Sequence, residues 1–282
     1  MDTRWIDLHT HSYISDGSDT PSGVVEAAAR AGLAAIALTD HDEIAGVDEA
    51  LAAGEKLGVE VVPGIELSGF DKVEVHILGY YPDRTHPRLQ EMLREIREVR
   101  RKRMEGTAKL CAEAGVPVTL EEAAQYAGGG MVCRVHFARA MASKGYAATV
   151  KEAFDRYLGN GKPCHFDLQI LTPADAVRLL READAVVVAA HLNQLRMPDA
   201  QVRRFLQEMK ACGLDGIEGY YPEYTPEQQQ SYRQMAAELG LLLSGGSDYH
   251  GSSKPHMSIG TGTGSLRVPY AVLEDIRRKK GL

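Results

Sequence analysis

Short runs of apolar residues alternate along this chain with longer stretches in which apolar residues recur every three or four positions. The short runs are WIDL (5–8), AAIALT (34–39), VEVVPGI (59–65), VEVHILGY (73–80), AVVVAA (185–190), DGIEGY (215–220) and LLLSGG (241–246). Most of them are too uniformly apolar to leave one face in water, which is typical of strands buried on both faces. The pattern predicts a parallel sheet covered by helices, as in a TIM-like barrel or a doubly wound sheet.

Helix start signals support this alternation. A threonine precedes a proline at Thr20-Pro21, Thr172-Pro173 and Thr225-Pro226. Threonine is a good capping residue and proline is tolerated at the first helical position, so a helix is expected to begin at each site. Thr119 with Glu122, and Thr225 with Gln228, also have the spacing of a capping box.

The alternation stops between residues 85 and 163, where the pattern is almost entirely helical. We therefore expect a barrel domain formed by residues 1–84 and 164–282, with a helical insertion or lid at 85–163. The first helix of the insertion has an apolar face, which consists of Leu89, Met92, Leu93, Ile96 and Val99. Its other face carries eight basic residues against four glutamates, namely Arg88, Arg94, Arg97, Arg100, Arg101, Lys102, Arg103 and Lys109 against Glu91, Glu95, Glu98 and Glu105. This face is either a solvated surface of ion pairs four residues apart or a surface that partly faces an anionic substrate.

Composition narrows the class of protein. The chain has 282 residues, of which 44% are hydrophobic and 25% are charged, as in ordinary globular proteins. A net charge of -7 argues against general coating of nucleic acid. No apolar run approaches the roughly 18 residues of a membrane span, and no signal-peptide pattern opens the chain. The four cysteines are far apart and form no CxxC pair, which favours a reduced, cytoplasmic protein.

Imidazoles and carboxylates gather at or near the ends of the predicted strands. They are His9, His11, Asp16, His41, Glu66, His76, His191, Asp248 and His250. The carboxyl ends of parallel strands are where such folds build their sites. If these residues had only a structural role, many buried polar groups would each need a hydrogen-bond partner, which argues against that explanation.

The residue types indicate metal ions. Imidazole and carboxylate without thiolate suit manganese, zinc or iron. Nine ligands are too many for one ion, so we expect two or three divalent ions per chain. His9 and His11 lie two residues apart on an extended segment and therefore point to the same side. Asp16, in the loop that follows, is placed to reach a neighbouring ion.

Six motifs carry a resemblance to a known family. They are DLHTHSYISDGSDTP (7–21), ALTDHDEIAG (37–46), VPGIELS (62–68), VHILGY (75–80), AAH (189–191) and GGSDYHG (245–251). In this order they resemble the polymerase and histidinol phosphatase (PHP) family of metal-dependent phosphoesterases.

The resemblance implies a distorted (β/α)7 TIM-like barrel with a trinuclear metal site, for which we expect manganese, with zinc or iron as alternatives. His9, His11, Glu66 and Asp248 would hold one ion. Glu66 would bridge to a second ion held by His76 and His191, and Asp16, His41 and His250 would hold the third.

Motifs in and beside the insertion indicate a subgroup within the PHP family. CRVHFARAM (133–141) and YLGNGKPCH (157–165) resemble the subgroup that dephosphorylates nucleoside 3',5'-bisphosphates and trims short oligonucleotides from the 5' end. This implies substrate contacts by Arg134, His136 and His165. Where the subgroup has His-Pro-Gly-Arg-Tyr, this chain has HLNQLRM, so the phosphate-binding arginine is missing at its usual offset and Arg196 is a candidate substitute.

The function implied is hydrolysis of the 3'-phosphate by metal-activated hydroxide, which leaves a nucleoside 5'-monophosphate. Asp40, His191 and Asp248 are the candidate catalytic residues, and Ser68 is a candidate donor to phosphate. For Asp42, a surface position and a supporting role beside the metal ligands are both open. Tyr220, Tyr221 and Tyr224 either stack a base or pack at the surface.

Other functions stay open. The alternatives are a histidinol-phosphate-type phosphatase and a 5'-to-3' exonuclease on short oligonucleotides. A non-catalytic metal-binding module is disfavoured because all nine ligands are present, and an amidohydrolase because Glu66 stands where a bridging lysine is usual. We expect a small nucleotide substrate, no membrane association and no obligate protein partner.

Overall fold

The computed structural model describes residues 4–166 and 171–282, and its strands form an eight-stranded sheet. The strands are β1 (Trp5–Thr10), β2 (Ala35–Leu38), β3 (Glu60–Asp71), β4 (Val73–Tyr80), β5 (Val186–Ala189), β6 (Gly216–Tyr220), β7 (Leu242–Gly245) and β8 (Val268–Pro269). Their order in the sheet is β7-β6-β5-β4-β3-β2-β1-β8. Seven of them come from the predicted apolar runs, and β8 is a two-residue addition at the edge of β1.

The sheet curls until β1 meets the segment after β7. Thr10 forms a parallel bridge with Tyr249 across this seam. The buried Asp7 carboxylate accepts hydrogen bonds from the Ser247 amide at 2.8 Å and the Gly260 amide at 2.7 Å. The result is a nearly closed α/β barrel, which confirms the predicted TIM-like class.

Two parts of the sheet differ from the prediction of parallel strands, and the smaller is β8, which runs antiparallel to β1. β4 runs antiparallel to both of its neighbours, β3 and β5. Lys72, at φ 61°, is the single residue that joins β3 to β4, and strands joined so tightly must run in opposite directions. The reversal places the first half of β4 beside the second half of β3, so that His76 lies opposite Ser68.

Helices cover the outside of the barrel. They are α1 (Pro21–Arg30), α2 (Val47–Leu57), α7 (Pro173–Glu182), α8 (Asp199–Cys212), α9 (Pro226–Leu239) and α10 (Ala271–Lys280). The caps predicted at Thr20, Thr172 and Thr225 are confirmed, because each threonine side chain accepts a backbone N–H of the first helical turn. None of the described helices is long and apolar enough to cross a membrane.

The chain between β4 and α7 is mainly helical. It contains α3 (Pro87–Glu113), α4 (Leu120–Ala124), α5 (Arg134–Ser143), α6 (Val150–Ala153) and a π-helical turn (Phe154–Leu158). The first half of α3 packs in the barrel core through Leu89, Leu93 and Ile96, whereas its second half joins a separate apolar cluster around Phe137 and Met141. The insertion boundaries at 85 and 163 stay a prediction.

Candidate metal centre and its mouth

The nine predicted ligands converge at one end of the barrel, around the Glu66 carboxylate. Three imidazoles approach its Oε2 atom, from His41 at 3.0 Å, His9 at 3.2 Å and His11 at 3.3 Å. Two approach its Oε1 atom, from His76 and His191, each at 3.1 Å. Glu66 is fully buried on β3, so the barrel presents one carboxylate to side chains from β1, from β4 and from the loops after β1, β2 and β5.

The other two candidate carboxylates lie beside the imidazoles of His11, His41 and His250. Asp16 Oδ1 is 3.1 Å from His250 Nε2 and 4.0 Å from His41 Nε2. Asp248 Oδ1 is 3.4 Å from His11 Nε2. Within the part of the chain that the structure describes, three groups have ligand atoms close enough together to hold an ion, namely His9–His11–Glu66, His41–Glu66–His76 and His11–Asp16–His41–His250.

These residues fit divalent cations. Within the described residues, several buried ligand atoms have no hydrogen-bond partner, among them His9 Nε2, both His11 ring nitrogens, Glu66 Oε2 and His250 Nε2. Buried polar atoms left unpaired are costly, and metal coordination is one way to satisfy them. The donors are imidazole and carboxylate, as manganese, zinc and iron accept.

The pKa shifts within the cluster also favour a bound cation. Burial opposes a charge on Glu66, but the imidazoles of His9 and His41 hold the pKa of Glu66 well below its usual range. Burial also opposes protonation of His76, but the Glu66 and Glu74 carboxylates raise the pKa of His76 to about 10. The carboxylates thus stabilise positive charge within the cluster. Protons and metal ions can both supply that charge, so they compete for the same ligand atoms.

His191 and Asp248 hold strained backbone conformations. Their φ angles are 24° and 56°, in the left-handed region that non-glycine residues rarely adopt. Strain of this kind concentrates at functional sites, where the surroundings over-determine it.

Several further side chains orient the candidate ligands, and of these Glu218 and Lys254 were not predicted from the sequence. The buried Glu218 of β6 contacts His9 Nδ1 at 2.9 Å through Oε1, and its Oε2 accepts the His191 amide at 2.6 Å. Lys254 and Tyr221 donate to Asp248 Oδ2 at 2.7 Å and 3.1 Å, which leaves Oδ1 to face the cluster. The sequence could have indicated Glu218 because it is a glutamate inside the apolar run DGIEGY.

Asp40 and Asp42 flank His41 but do different things. Asp40 accepts hydrogen bonds from the amide and hydroxyl of Ser12 and from the hydroxyl of Ser15, at 2.7–2.8 Å. Asp42 is buried rather than at the surface, so that alternative is wrong. It accepts the Ser68 amide at 2.8 Å and pairs with Arg100 of α3.

Arg134 and His165 meet at the mouth of the barrel. Arg134 Nη2 lies 3.0 Å from Glu74, and its Nη1 lies 3.1 Å from Asn160 and 3.4 Å from His165 Nδ1. His136, by contrast, is buried in α5, where its Nδ1 accepts the Cys133 amide at 2.9 Å.

A cavity of about 180 Å³ separates the metal-ligand cluster from the insertion. Its lining includes Asp16, His41 and His76 of the ligand cluster together with Arg100, Arg103 and Arg134. Helix α3 is divided, because Arg101 pairs with Glu98 and Glu105 on the outer face while Arg100 and Arg103 line the cavity. That the cavity side of α3 faces an anionic substrate stays a prediction.

Arg196 does not line this cavity. It lies in a separate cleft of about 800 Å³, with Lys162, Asn160 and Glu74 along its walls. Glu74 borders both spaces, so the cleft adjoins the mouth rather than the ligand cluster.

The surroundings of Tyr220, at the end of β6, and of Tyr221 and Tyr224 beyond it favour packing over base stacking. Tyr221 is buried with its hydroxyl on Asp248, and Tyr224 donates to the Glu218 carbonyl at 3.2 Å. Arg233 covers the ring of Tyr220 at 3.8 Å. Their rings are thus occupied by neighbours within the fold.

Comparison with known proteins gives consistent matches along the chain. The family model of the PHP domain matches residues 7–242. A phosphoribosyl 1,2-cyclic phosphate 1,2-diphosphodiesterase from Eggerthella lenta is 36% identical, over 87% of this chain and 94% of that protein. A 5'-3' exoribonuclease from Haemophilus influenzae is 34% identical, over 88% and 90%. A 3',5'-nucleoside bisphosphate phosphatase from Chromobacterium violaceum is 32% identical, over 90% of each chain.

A solved structure agrees in fold. It comes from Bifidobacterium adolescentis, is provisionally described as a metal-dependent phosphoesterase, and superposes with a TM-score of 0.87 at 29% identity. The match covers 98% of this chain and 96% of that one.

Proposed function

Because this chain belongs to the PHP domain family and is a phosphoesterase, we propose that it removes the 3'-phosphate of nucleoside 3',5'-bisphosphates. The products are a nucleoside 5'-monophosphate and inorganic phosphate. The relative from Chromobacterium violaceum, at 32% identity, carries the name of this activity. We place the enzyme in the cytoplasm because its four cysteines are free thiols.

The position of Arg134 is the observation that carries this proposal. Arg134 lines the same cavity as Asp16, His41 and His76. A substrate that presents one phosphate to the ligand cluster would direct a second negative charge towards this guanidinium. Arg134 is held there by Glu74 and Asn160 and is about one-fifth exposed, so it is both ordered and accessible.

The chain would hold two or three divalent ions, with manganese expected first and zinc or iron as alternatives. When bound, such ions neutralise phosphoryl oxygens and activate water for attack. Glu66 would be shared between ions, and His191 and Asp248 would hold their ligand atoms in fixed, strained positions. Asp40 would act through the Ser12 and Ser15 hydrogen bonds, which fix the loop that carries Asp16.

The insertion supplies the substrate contacts in this proposal. Arg134 and His165 come from it or from its border, and residues 85–163 would form a lid over the barrel mouth. Ser68 lies at the same mouth, with its hydroxyl 3.2 Å from Arg100 Nη2. His136 would support Arg134 through the first turn of α5 rather than touch substrate.

Trimming of short oligonucleotides from the 5' end is a second candidate function. The cleft that contains Lys162 and Arg196 continues from the mouth through Glu74 and Asn160. Two cationic side chains in such a cleft suit the phosphates of following nucleotides. The exoribonuclease from Haemophilus influenzae, at 34% identity, supports this alternative.

The test is a comparison of substrates on manganese-loaded protein. Elemental analysis should first show two to three ions per chain, and fewer than one would contradict the metal proposal. Adenosine 3',5'-bisphosphate should exceed AMP by about 30- to 1000-fold in kcat/KM, because one desolvated charge-assisted contact contributes about 2–4 kcal/mol. Equal rates would remove the second phosphate site.

The same panel separates the alternatives. It should include histidinol phosphate, a ribose 1,2-cyclic phosphate and a short 5'-phosphorylated RNA. Faster turnover of any of these than of the bisphosphate would replace the proposed substrate. Arg134→Ala should lower the bisphosphate rate at unchanged metal content, and Arg134→Lys should restore little because lysine cannot form a bidentate pair.

A further inference from the structure

Arg100 differs from the exposed basic residues of α3. Arg101 lies on the exposed face and pairs with Glu98 and Glu105 of its own helix. The Arg100 side chain is only 16% exposed and turns inward to the barrel mouth. A buried guanidinium is costly unless its donors are satisfied, so its contacts should reveal its role.

One half of the Arg100 guanidinium is anchored by the barrel. Its Nη2 atom pairs with the buried Asp42 and lies 3.2 Å from the Ser68 hydroxyl. Asp42 in turn accepts the Ser68 amide at 2.8 Å, two residues beyond Glu66. Helix α3 is thereby fixed to the strand that carries the central ligand.

The other half of the guanidinium meets sulfur atoms. In the described part of the chain, the hydrogen-bond contacts of Nη1 are Cys133 Sγ at 3.7 Å and Met131 Sδ at 4.0 Å. Sulfur is a weak acceptor. A cationic donor is thus held in place with poor partners, beside a cavity lined by Asp16, His41 and His76.

We propose that Arg100 binds the phosphoryl group that is cleaved, and that Asp42 is the residue that positions it. The proposal rests on the phosphoesterase function proposed above, but not on the identity of the nucleotide. Phosphoryl oxygens replace the sulfur contacts of Nη1, while the pair with Asp42 keeps the fork oriented. Arg196 lies in the separate cleft and cannot take this position without moving.

This division assigns different phosphates to two arginines. Arg100 neighbours Asp42 and Ser68 at the ligand cluster, so it serves every phosphate ester that the site accepts. Arg134 is held by Glu74, Asn160 and His165 further along the mouth, so it serves the second phosphate alone.

The experiment measures binding of inorganic phosphate by calorimetry to the manganese-loaded protein, together with kcat/KM for p-nitrophenyl phosphate and adenosine 3',5'-bisphosphate. Arg100→Ala should weaken phosphate binding by about 10- to 100-fold, as expected for a hydrogen bond to a charged group. It should lower kcat/KM for both esters by a similar factor. Arg101→Ala removes the same charge from the exposed face and should change none of these values.

Unchanged phosphate affinity in Arg100→Ala, at unchanged metal content, would overturn the proposal. If the alanine variant loses metal or fold, Arg100→Lys replaces it. A lysine variant with full metal and about 10-fold weaker phosphate binding supports the proposal, and one with wild-type binding contradicts it. Asp42→Asn should weaken phosphate binding in the native chain but add nothing in the Arg100→Ala background, which separates positioning from a general structural role.

A wrong assignment of the nucleotide substrate would give a different result from a wrong role for Arg100. If p-nitrophenyl phosphate is hydrolysed but the bisphosphate is no better than AMP, the proposed substrate is wrong. The effect of Arg100→Ala on inorganic phosphate would still be measured and would still decide the role of Arg100.

Discussion

A single carboxylate, Glu218, controls the geometry of two candidate ligands. It contacts the His9 ring at Nδ1, which leaves Nε2 to face Glu66. It also accepts the His191 amide, at a residue whose φ of 24° needs support from its surroundings. Partners of this kind fix the tautomer and direction of a ligand imidazole.

Glu218→Gln should therefore weaken metal binding by about 10- to 100-fold, because the amide can accept at only one oxygen and loses the charge that favours a proton on Nδ1. Manganese affinity and kcat/KM are the measurements. Glu208→Gln, at an exposed position paired with Arg204, is the matched control and should leave both unchanged. Normal affinity in Glu218→Gln would show that His9 is oriented by other contacts.

Local sequence identified the candidate ligands but not these supporting residues. His9, His41 and Asp248 stand next to recognisable strand ends, so their convergence follows from the fold class. Glu218 and Arg100 act through partners at least 27 positions away, and only tertiary packing creates those pairs. The burial of Asp42 could not be predicted from local sequence either, because it depends on the placement of α3.

At the scale of elements, α3 depends on a glycine in its interior. A Cβ at Gly106 would lie 2.3 Å from the Phe166 ring, which packs directly on the helix backbone. Glycine costs an exposed helix about 1 kcal/mol relative to alanine. The ring therefore uses space that only glycine leaves free, and it sits next to His165 at the barrel mouth.

Gly106→Ala should destabilise the protein in spite of its better helix propensity. Overpacking of this kind costs typically about 1–3 kcal/mol, which exceeds the propensity gain at most of that range. Thermal unfolding is the measurement. In a Phe166→Ala background the clash is absent, so the same change should become stabilising by up to about 1 kcal/mol. A stabilising Gly106→Ala in the native chain would show that Phe166 moves away freely.

Elements with local signals were predicted well, and the reversal of β4 was not. The caps at Thr20, Thr172 and Thr225 are formed by residues adjacent in sequence, so their physics is local. The direction of β4 is set by a one-residue connection at Lys72. The apolar run alone carries no information on direction, because parallel and antiparallel buried strands look alike.

The whole molecule combines an acidic surface with a cationic mouth. The net charge is -7, yet Arg100, Arg103 and Arg134 line one cavity. Since the rest of the surface repels polyanions, this concentration of positive charge restricts binding to anions that reach the mouth.

The candidate ligands come from most of the strands of the barrel or from the loops that follow them. His9 lies on β1, Glu66 on β3 and His76 on β4, while His41, His191 and Asp248 follow β2, β5 and β7. Unfolding would separate all of them. Ions bound at the cluster should therefore stabilise the entire fold rather than one loop.

Manganese should accordingly raise the midpoint of thermal unfolding. Saturation to about 100 times the dissociation constant contributes about 2.7 kcal/mol per site, so one site alone should give a rise of roughly 5–10 °C over protein treated with a chelator. The Glu66→Gln variant, which alters the carboxylate shared by five imidazoles, should show a much smaller rise. If elemental analysis shows loaded protein with an unchanged midpoint, the ions are bound outside the barrel core, and the arrangement around Glu66 is not the metal centre.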